Sequence, residues 1–425
     1  MNIRQKTFVV FLFLTLAGLP AIPANSTFSG MVRDYAAMRL ESLDMSVHEQ
    51  TLDAFYEHTT DMGQLTLHPV VYSNPNKALQ LDLAEAYFDF YLDSADVRVG
   101  KQKVIWGEAE GAFITDLVSP RDMRSFILAD FSEIRKAVPA IKVDYYAGPY
   151  TMQGIWVTHF IPTSLPASNS MWAQSPTLPF PPAITSVSFT DPAMPETTLE
   201  NSEIFLSLGH FGNAVSWKLN GGYVFTDEPL ASSVTAPDPA TRVISQRYER
   251  YSFIGGSFNT ALGGLVLRGE TALALDKPMN SLDTSKTPPI TIEKHTQVQA
   301  LVGLDWNMLG SQWSTQYLMV YTHDHTASLV SQMKPVKEFA HTFTFRMQDT
   351  FFDEQLTVRL FTYIEVEPLN ALLRPSISYN FGNGVLLEGG LDVFLGDKDG
   401  TFGTYASNSL AWAALRWYFY SEQSP

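Results

Sequence analysis

Gln297-Val298-Gln299-Ala300-Leu301-Val302-Gly303-Leu304-Asp305-Trp306-Asn307 sorts its residues by parity. The even positions, Val298, Ala300, Val302, Leu304 and Trp306, are all apolar; the odd ones, Gln297, Gln299, Leu301, Gly303, Asp305 and Asn307, are mostly polar or small. A period of two belongs to a strand, whose side chains alternate between faces, and not to a helix, which repeats every 3.6 residues or so. The same sorting recurs over Leu356–Glu367, where Leu356, Val358, Leu360 and Ile364 oppose Arg359, Phe361, Tyr363 and Glu365. It recurs again over Leu386–Leu395, where Leu387, Leu391, Val393 and Leu395 oppose Glu388 and Asp392. Segments of about 10 to 14 residues suffice to cross a bilayer as tilted strands.

Composition fits that reading. Aromatic residues make up 13% of the chain and charged ones only 17%, against roughly 25% charged in ordinary soluble domains. After the N-terminus there is no apolar run of about 18 residues, as a transmembrane helix would need. A chain that hides apolar surface without apolar blocks distributes it by alternation, apolar outward and polar inward, as transmembrane β-barrels do.

The ends of the chain give the compartment. Arg4 and Lys6 precede an apolar stretch from Thr7 to Leu19, followed by Pro20 and small residues through Ala24. This is the three-part plan of a secretory signal peptide. Residues 1–24 are expected to be a signal cleaved after Ala24, or alternatively after Ala21, and 25–425 the barrel. There is no Cys, so neither a disulfide nor a lipidated cysteine is available. Without the signal's two cations, 26 basic face 44 acidic side chains, a charge of −18. That balance excludes nucleic acid as a partner. The final strand, with Ala411, Ala413, Leu415, Trp417 and Phe419 on one parity, resembles the C-terminal signal read by the barrel-insertion machinery, although Ser421–Pro425 follow it.

Connections alternate between short and long. Turns at Asp93–Asp96, Gly148–Pro149, Gly212–Asn213, Ala261–Gly264, Leu309–Ser311, Phe352–Glu354 and Gly382–Gly384 are short. Those at 109–138, 162–199, 227–244, 277–291 and 324–337 are longer, with smaller ones near 367–370 and 397–405. Short periplasmic turns and long outer loops are the habit of outer-membrane barrels. The fold class is therefore all-β, a transmembrane antiparallel barrel of about 18 strands. Sixteen is the alternative, since the strand Gln64–Tyr72 contains Pro69, which cannot donate to a ladder.

One block departs from the generic pattern: Arg98-Val99-Gly100-Lys101-Gln102, then Trp106-Gly107-Glu108, then Asp116-Leu117-Val118-Ser119-Pro120-Arg121-Asp122. Its spacing resembles a family of uncharacterised outer-membrane barrel proteins of proteobacteria, often encoded beside inner-membrane exporters of the resistance-nodulation-division type. The resemblance implies a barrel with a folded-in segment after Trp106-Gly107-Glu108, and an accessory role with such an exporter in moving lipid-like cargo.

The residues themselves read similarly. Ser119 and Pro120 have the form of a helix start, and Phe126, Ile127, Phe131 and Ile134 recur at helical spacing up to Pro139. A short helix folded toward the lumen is expected within 109–138, forming either a constriction or an outer cap. Arg98, Lys101, Gln102, Trp106, Glu108, Asp116, Pro120, Arg121, Asp122 and Arg124 are its candidate motif residues; Trp106 also suits an interfacial girdle. Arg359, Glu365, Glu388 and Asp392 are candidate lumen residues.

No nucleophile elbow or zinc-protease motif occurs, and His323-Asp324-His325 is too sparse to define a metal site. No enzyme activity, cofactor or metal is expected. Residues 162–199, with eight prolines, read as a stiff loop. The expected function is an outer-membrane, porin-like channel for small or hydrophobic solutes. The alternatives are the accessory barrel and a non-conducting surface protein. The expected partners are outer-membrane lipid and lipopolysaccharide, the insertion machinery and an inner-membrane exporter.

Overall fold

The structure is a computed structural model that describes residue 23 and residues 25–74, 77–128, 133–173, 183–283, 285–331 and 334–422. The expected signal apart from residue 23, residues 129–132, and the centre of the proline-rich loop lie outside the described residues.

Eighteen antiparallel strands close into one barrel. They are β1 (Ser26–Arg39), β2 (Met45–Thr60), β3 (Gly63–Asn74), β4 (Lys77–Tyr91), β5 (Ala95–Gln102), β6 (Val138–Ala147), β7 (Tyr150–Val157), β8 (Glu203–His210) and β9 (Val215–Phe225). The second half comprises β10 (Arg250–Leu262), β11 (Leu265–Leu282), β12 (Ile290–Met308), β13 (Ser311–Thr322), β14 (Phe339–Phe351), β15 (Leu356–Glu365), β16 (Asn370–Gly382), β17 (Val385–Gly396) and β18 (Leu410–Glu422). Each pairs with its sequence neighbour, and β1 pairs with β18 from Thr27↔Glu422 to Arg39↔Leu410. Closure is what the bilayer demands, because an open edge would leave N–H and C=O groups without partners in hydrocarbon.

Parity sets the two faces. On β8, Leu206 is 64% exposed while Phe205 is fully buried; on β10, Ile254 is 58% exposed and Phe253 only 3%. The exposed parity faces lipid and the buried one faces the lumen. β3 accommodates Pro69 by a register shift between His68 and Pro69, so the strand is kept.

Three expectations are corrected. First, the chain from Arg124 to Ile127 is extended, and the helical turn among the described residues lies at Gly403–Asn408. The 119–138 segment pairs in non-helical ways: Lys136 N–H donates back to the Pro120 carbonyl at 2.7 Å, and Met123 N–H donates outside the segment to the Ser164 carbonyl at 2.8 Å. Such cross-links satisfy the backbone without a helix. Second, β11 and β12 extend into the expected 277–291 loop, to Leu282 and from Ile290, after a register shift at Ala274/Lys277. Third, the 227–244 connection holds strands Leu230–Asp238 and Thr241–Arg247, which join Ser186–Phe189 in a three-stranded sheet whose Ala231 and Ile244 pack with Leu282 and Ile290 at the ends of β11 and β12.

Candidate functional site: a lumen crossed by its own chain

Residues 103–128 and 133–137, between β5 and β6, run through the barrel. They are seated first by apolar contact. Val104, Trp106 and Val118 are buried with Ile155, Phe205, Val224 and Phe253 from the inward face of β7–β10, and Trp106 meets Phe205 edge-on at 5.7 Å. Ile114 packs on Ala272 and Leu301. Further along, Phe126 joins Trp172, Tyr363, Leu372, Phe394, Phe402 and Tyr405 in an aromatic cluster.

Polar anchors then fix the path. The buried Glu270 carboxylate on β11 accepts the N–H groups of Glu108 and Ala109 at 2.9 and 3.1 Å on one oxygen. Its other oxygen accepts Thr115 N–H and Oγ1–H at 2.7 and 2.8 Å. Arg268 Nη1 donates to the Glu108 carbonyl at 2.9 Å. Gln316 on β13 exchanges two hydrogen bonds with the Glu110 backbone, and Tyr363 donates to the Gly111 carbonyl at 2.8 Å. Glu110 pairs with Arg346 at 2.9 Å. On the far side Arg374 donates to the Leu128 carbonyl at 2.8 Å, and Glu133 pairs with Arg33 at 3.0 Å and faces Arg416 at 3.9 Å.

The segment leaves a gap against β1–β5. There lies a cavity of about 290 Å³ with Arg33, Glu49, Asp53, His68, Lys103 and Glu133 among its lining. His68 donates through Nε2 to the Asp53 carboxylate at 2.6 Å, has Glu85 at 3.6 Å, and stacks on Phe55. In the mouth loop, burial pushes the Asp227 carboxyl up to about 6, with Glu228 reinforcing the shift and Arg121 opposing it.

The motif residues are dispersed along this path. Arg98 lies bidentate on Asp89 at 2.7 and 2.9 Å, over the Tyr87 ring. Lys101 reaches the Leu83 carbonyl at 2.6 Å, and buried Gln102 donates to the Ala140 carbonyl at 2.9 Å. Trp106 donates through Nε1 to Gln153 and is inside the barrel, so the girdle reading is replaced. Glu108 holds Lys218 at 3.2 Å. Asp116 accepts Trp106 N–H at 3.1 Å and Arg135 Nε at 2.6 Å. Pro120 contributes its carbonyl, Arg121 N–H donates to Thr163 at 3.2 Å, and Asp122 and Arg124 pair with each other.

The four strand positions share the inward parity. Arg359 donates to Gln348 at 2.9 Å, and Glu365 lies 3.4 Å from Thr401 N–H at the rim. Glu388 pairs with Arg416 at 2.6 Å, and buried Asp392 with Arg374 at 2.7 Å. The decisive anchors Glu270, Arg268, Gln316 and Arg33 were not singled out from sequence. Their one signal is a polar residue on the inward parity of a strand.

His323-Asp324-His325 does not converge, since His325 turns to the Val336 carbonyl at 2.7 Å.

A closed barrel whose lumen is crossed by an internal segment defines an outer-membrane β-barrel. The chain belongs to the family described as Protein of unknown function (DUF1302), whose model matches residues 20–380. No curated protein matches it in sequence. Among solved structures, Acinetobacter baumannii OccAB3 is similar at a TM-score of 0.55 and 10% identity, covering 94% of this chain and 100% of that one. A. baumannii OccAB4 gives 0.54 and 9%, covering 95% and 100%. Pseudomonas aeruginosa OccK2 (OpdF), solved in complex with glucuronate, gives 0.52 and 9%, covering 93% and 98%. At this identity the likeness is one of fold.

Proposed function

We propose that the protein is a constricted outer-membrane channel for small hydrophilic solutes. The observation that carries this reading is the placement of residues 103–128 and 133–137. Val104, Trp106, Ile114 and Val118 are sealed against β7–β12 and Phe126 against β15–β17, and the gap left beside β1–β5 is lined by charge. A charged gap holds water and passes solutes that keep polar contacts; an apolar cargo would lose its affinity there. The Glu270 clamp holds the segment across the lumen, so passage is limited by the width beside it. OccK2, a barrel of like fold, was solved in complex with glucuronate.

Purified protein in planar bilayers is expected to give small, discrete conductance steps, and a variant lacking residues 110–135 larger ones. Absence of conductance from both would overturn the reading.

A further inference from the structure

The lipid-facing wall over β6–β10 carries a dent that packing does not require. Val143, Gly154, Leu206, Gly221 and Ile254 are mutually in register on five successive strands, forming one outward row. Large residues alternate with glycine, so Leu206 stands between two notches. A Cβ at Gly154 would meet only the Leu206 side chain at 3.9 Å, and one at Gly221 only the Phe253 carbonyl at 3.3 Å. At Gly63, by contrast, a Cβ would lie 1.7 Å from the Asp89 carbonyl oxygen. The wall therefore has room for a side chain at 154, and at 221 admits one only in a tight fit against the Phe253 carbonyl, yet both positions lack one. With Met152 and Leu219 in the row below, the notches form a groove of about 610 Å³.

The row's depth is set by its neighbours. Four residues below Ile254, Phe258 shares an outward row with Trp217, His210 and Tyr150, stacked as an interfacial belt. Four residues above lies Arg250, about 13 Å along the strand. Its guanidinium lies 4.8 Å from the centroid of the outward Tyr223 ring and donates through Nη2 to the carbonyls of Glu200 and Ser202. Its Nε and Nη1 have no acceptor among the described residues. A cation with free donors thus sits at the outer boundary of the hydrocarbon, above notches at mid-depth.

We propose that this wall binds an outer-leaflet lipid of the lipopolysaccharide class, with a phosphate on Arg250 and acyl chains in the notches at Gly154 and Gly221. Guanidinium and phosphate form a charge-assisted pair, and glycine notches allow close approach where packing, not water, drives association. The inference rests on the outer-membrane location and is independent of whether the lumen conducts.

The test is native mass spectrometry of the detergent-solubilised barrel incubated with lipid A, with dioleoylphosphatidylethanolamine in a parallel arm. Wild type is expected to retain one lipid A. Arg250→Gln is expected to lose about tenfold in occupancy, the scale of one charged hydrogen bond. The Gly154→Leu/Gly221→Ala double variant, which fills the notches, is expected to lose binding as well. Both variants are first checked for folding by heat-modifiable electrophoretic mobility, and their conductance should match wild type because the wall is untouched inside. Retention equal to wild type in both folded variants would overturn the proposal. So would phosphatidylethanolamine binding as tightly as lipid A, or filled notches that dissociate an oligomer while leaving lipid binding intact.

Discussion

Glu270→Gln isolates the clamp from the barrel. The residue's backbone stays paired with Ser257 and Leu301, and glutamine keeps the side chain's shape. What changes is that one carboxylate oxygen becomes an NH₂ facing the donors of Glu108, Ala109 or Thr115. Each oxygen accepts two of the four clamp bonds, so two are lost whichever way the amide turns. Hydrogen bonds to a charged acceptor contribute about 1.5–3 kcal/mol each. Even at the lower bound the segment's seat weakens by about 3 kcal/mol, which raises its unseated population roughly a hundredfold. Hydrogen exchange reads this directly. The amides of Glu108, Ala109 and Thr115 should exchange about a hundred times faster, following the local opening equilibrium, while those of β11 and β12 keep their protection. Bilayer recordings should show intermittent openings to a larger step. Unchanged exchange at these three amides would refute the assignment of Glu270 as the clamp.

Other expectations follow from the same contacts. Glu133→Gln removes the carboxylate facing Arg33 and Arg416, so reversal potentials in a salt gradient should move toward anion preference. Asp227, raised to about 6, binds its proton more tightly folded than unfolded, where a value of about 3.9 applies. Its contribution therefore grows as pH falls through 6 toward about 4 and is lost as pH rises again. The stability difference between wild type and Asp227→Asn, from urea unfolding in micelles, should change across that window. Val302→Arg, on the lipid face of β12, should destabilise the folded barrel by about 2–4 kcal/mol in the same assay, as for a charge near the midplane.

Much of the wall was legible in the sequence because a strand states its two faces locally. The parities of Gln297–Asn307, Leu356–Glu367 and Leu386–Leu395 needed no distant information, and inward Glu388 and Asp392 followed from them. The route of residues 109–138 was not legible. Ser119-Pro120 and the spacing of Phe126, Ile127 and Ile134 carry a local helix signal, but Ser164, Arg374 and the 134–136 backbone offered extended partners that no local pattern reveals. Glu270 was hidden for a related reason. On its own strand it is one polar residue among several, and its meaning comes from amides at Glu108, Ala109 and Thr115, 155 to 162 positions away. The overlong β11 and β12 were obscured by Asp276-Lys277-Pro278, which reads as a turn, whereas the chain bulges at Leu275-Asp276 and Lys277 and Pro278 pair again with β12.

The crossing segment also has a consequence for assembly. Its partners Gln316, Tyr363 and Arg374 enter the chain 206 to 252 residues after the groups they hold, and Arg416 belongs to the strand that closes the wall. A barrel built hairpin by hairpin from its N-terminus thus has the residues that seat Trp106, Ile114 and Thr115 in place by β12, while the groups that pin the far side arrive only with β15, β16 and β18.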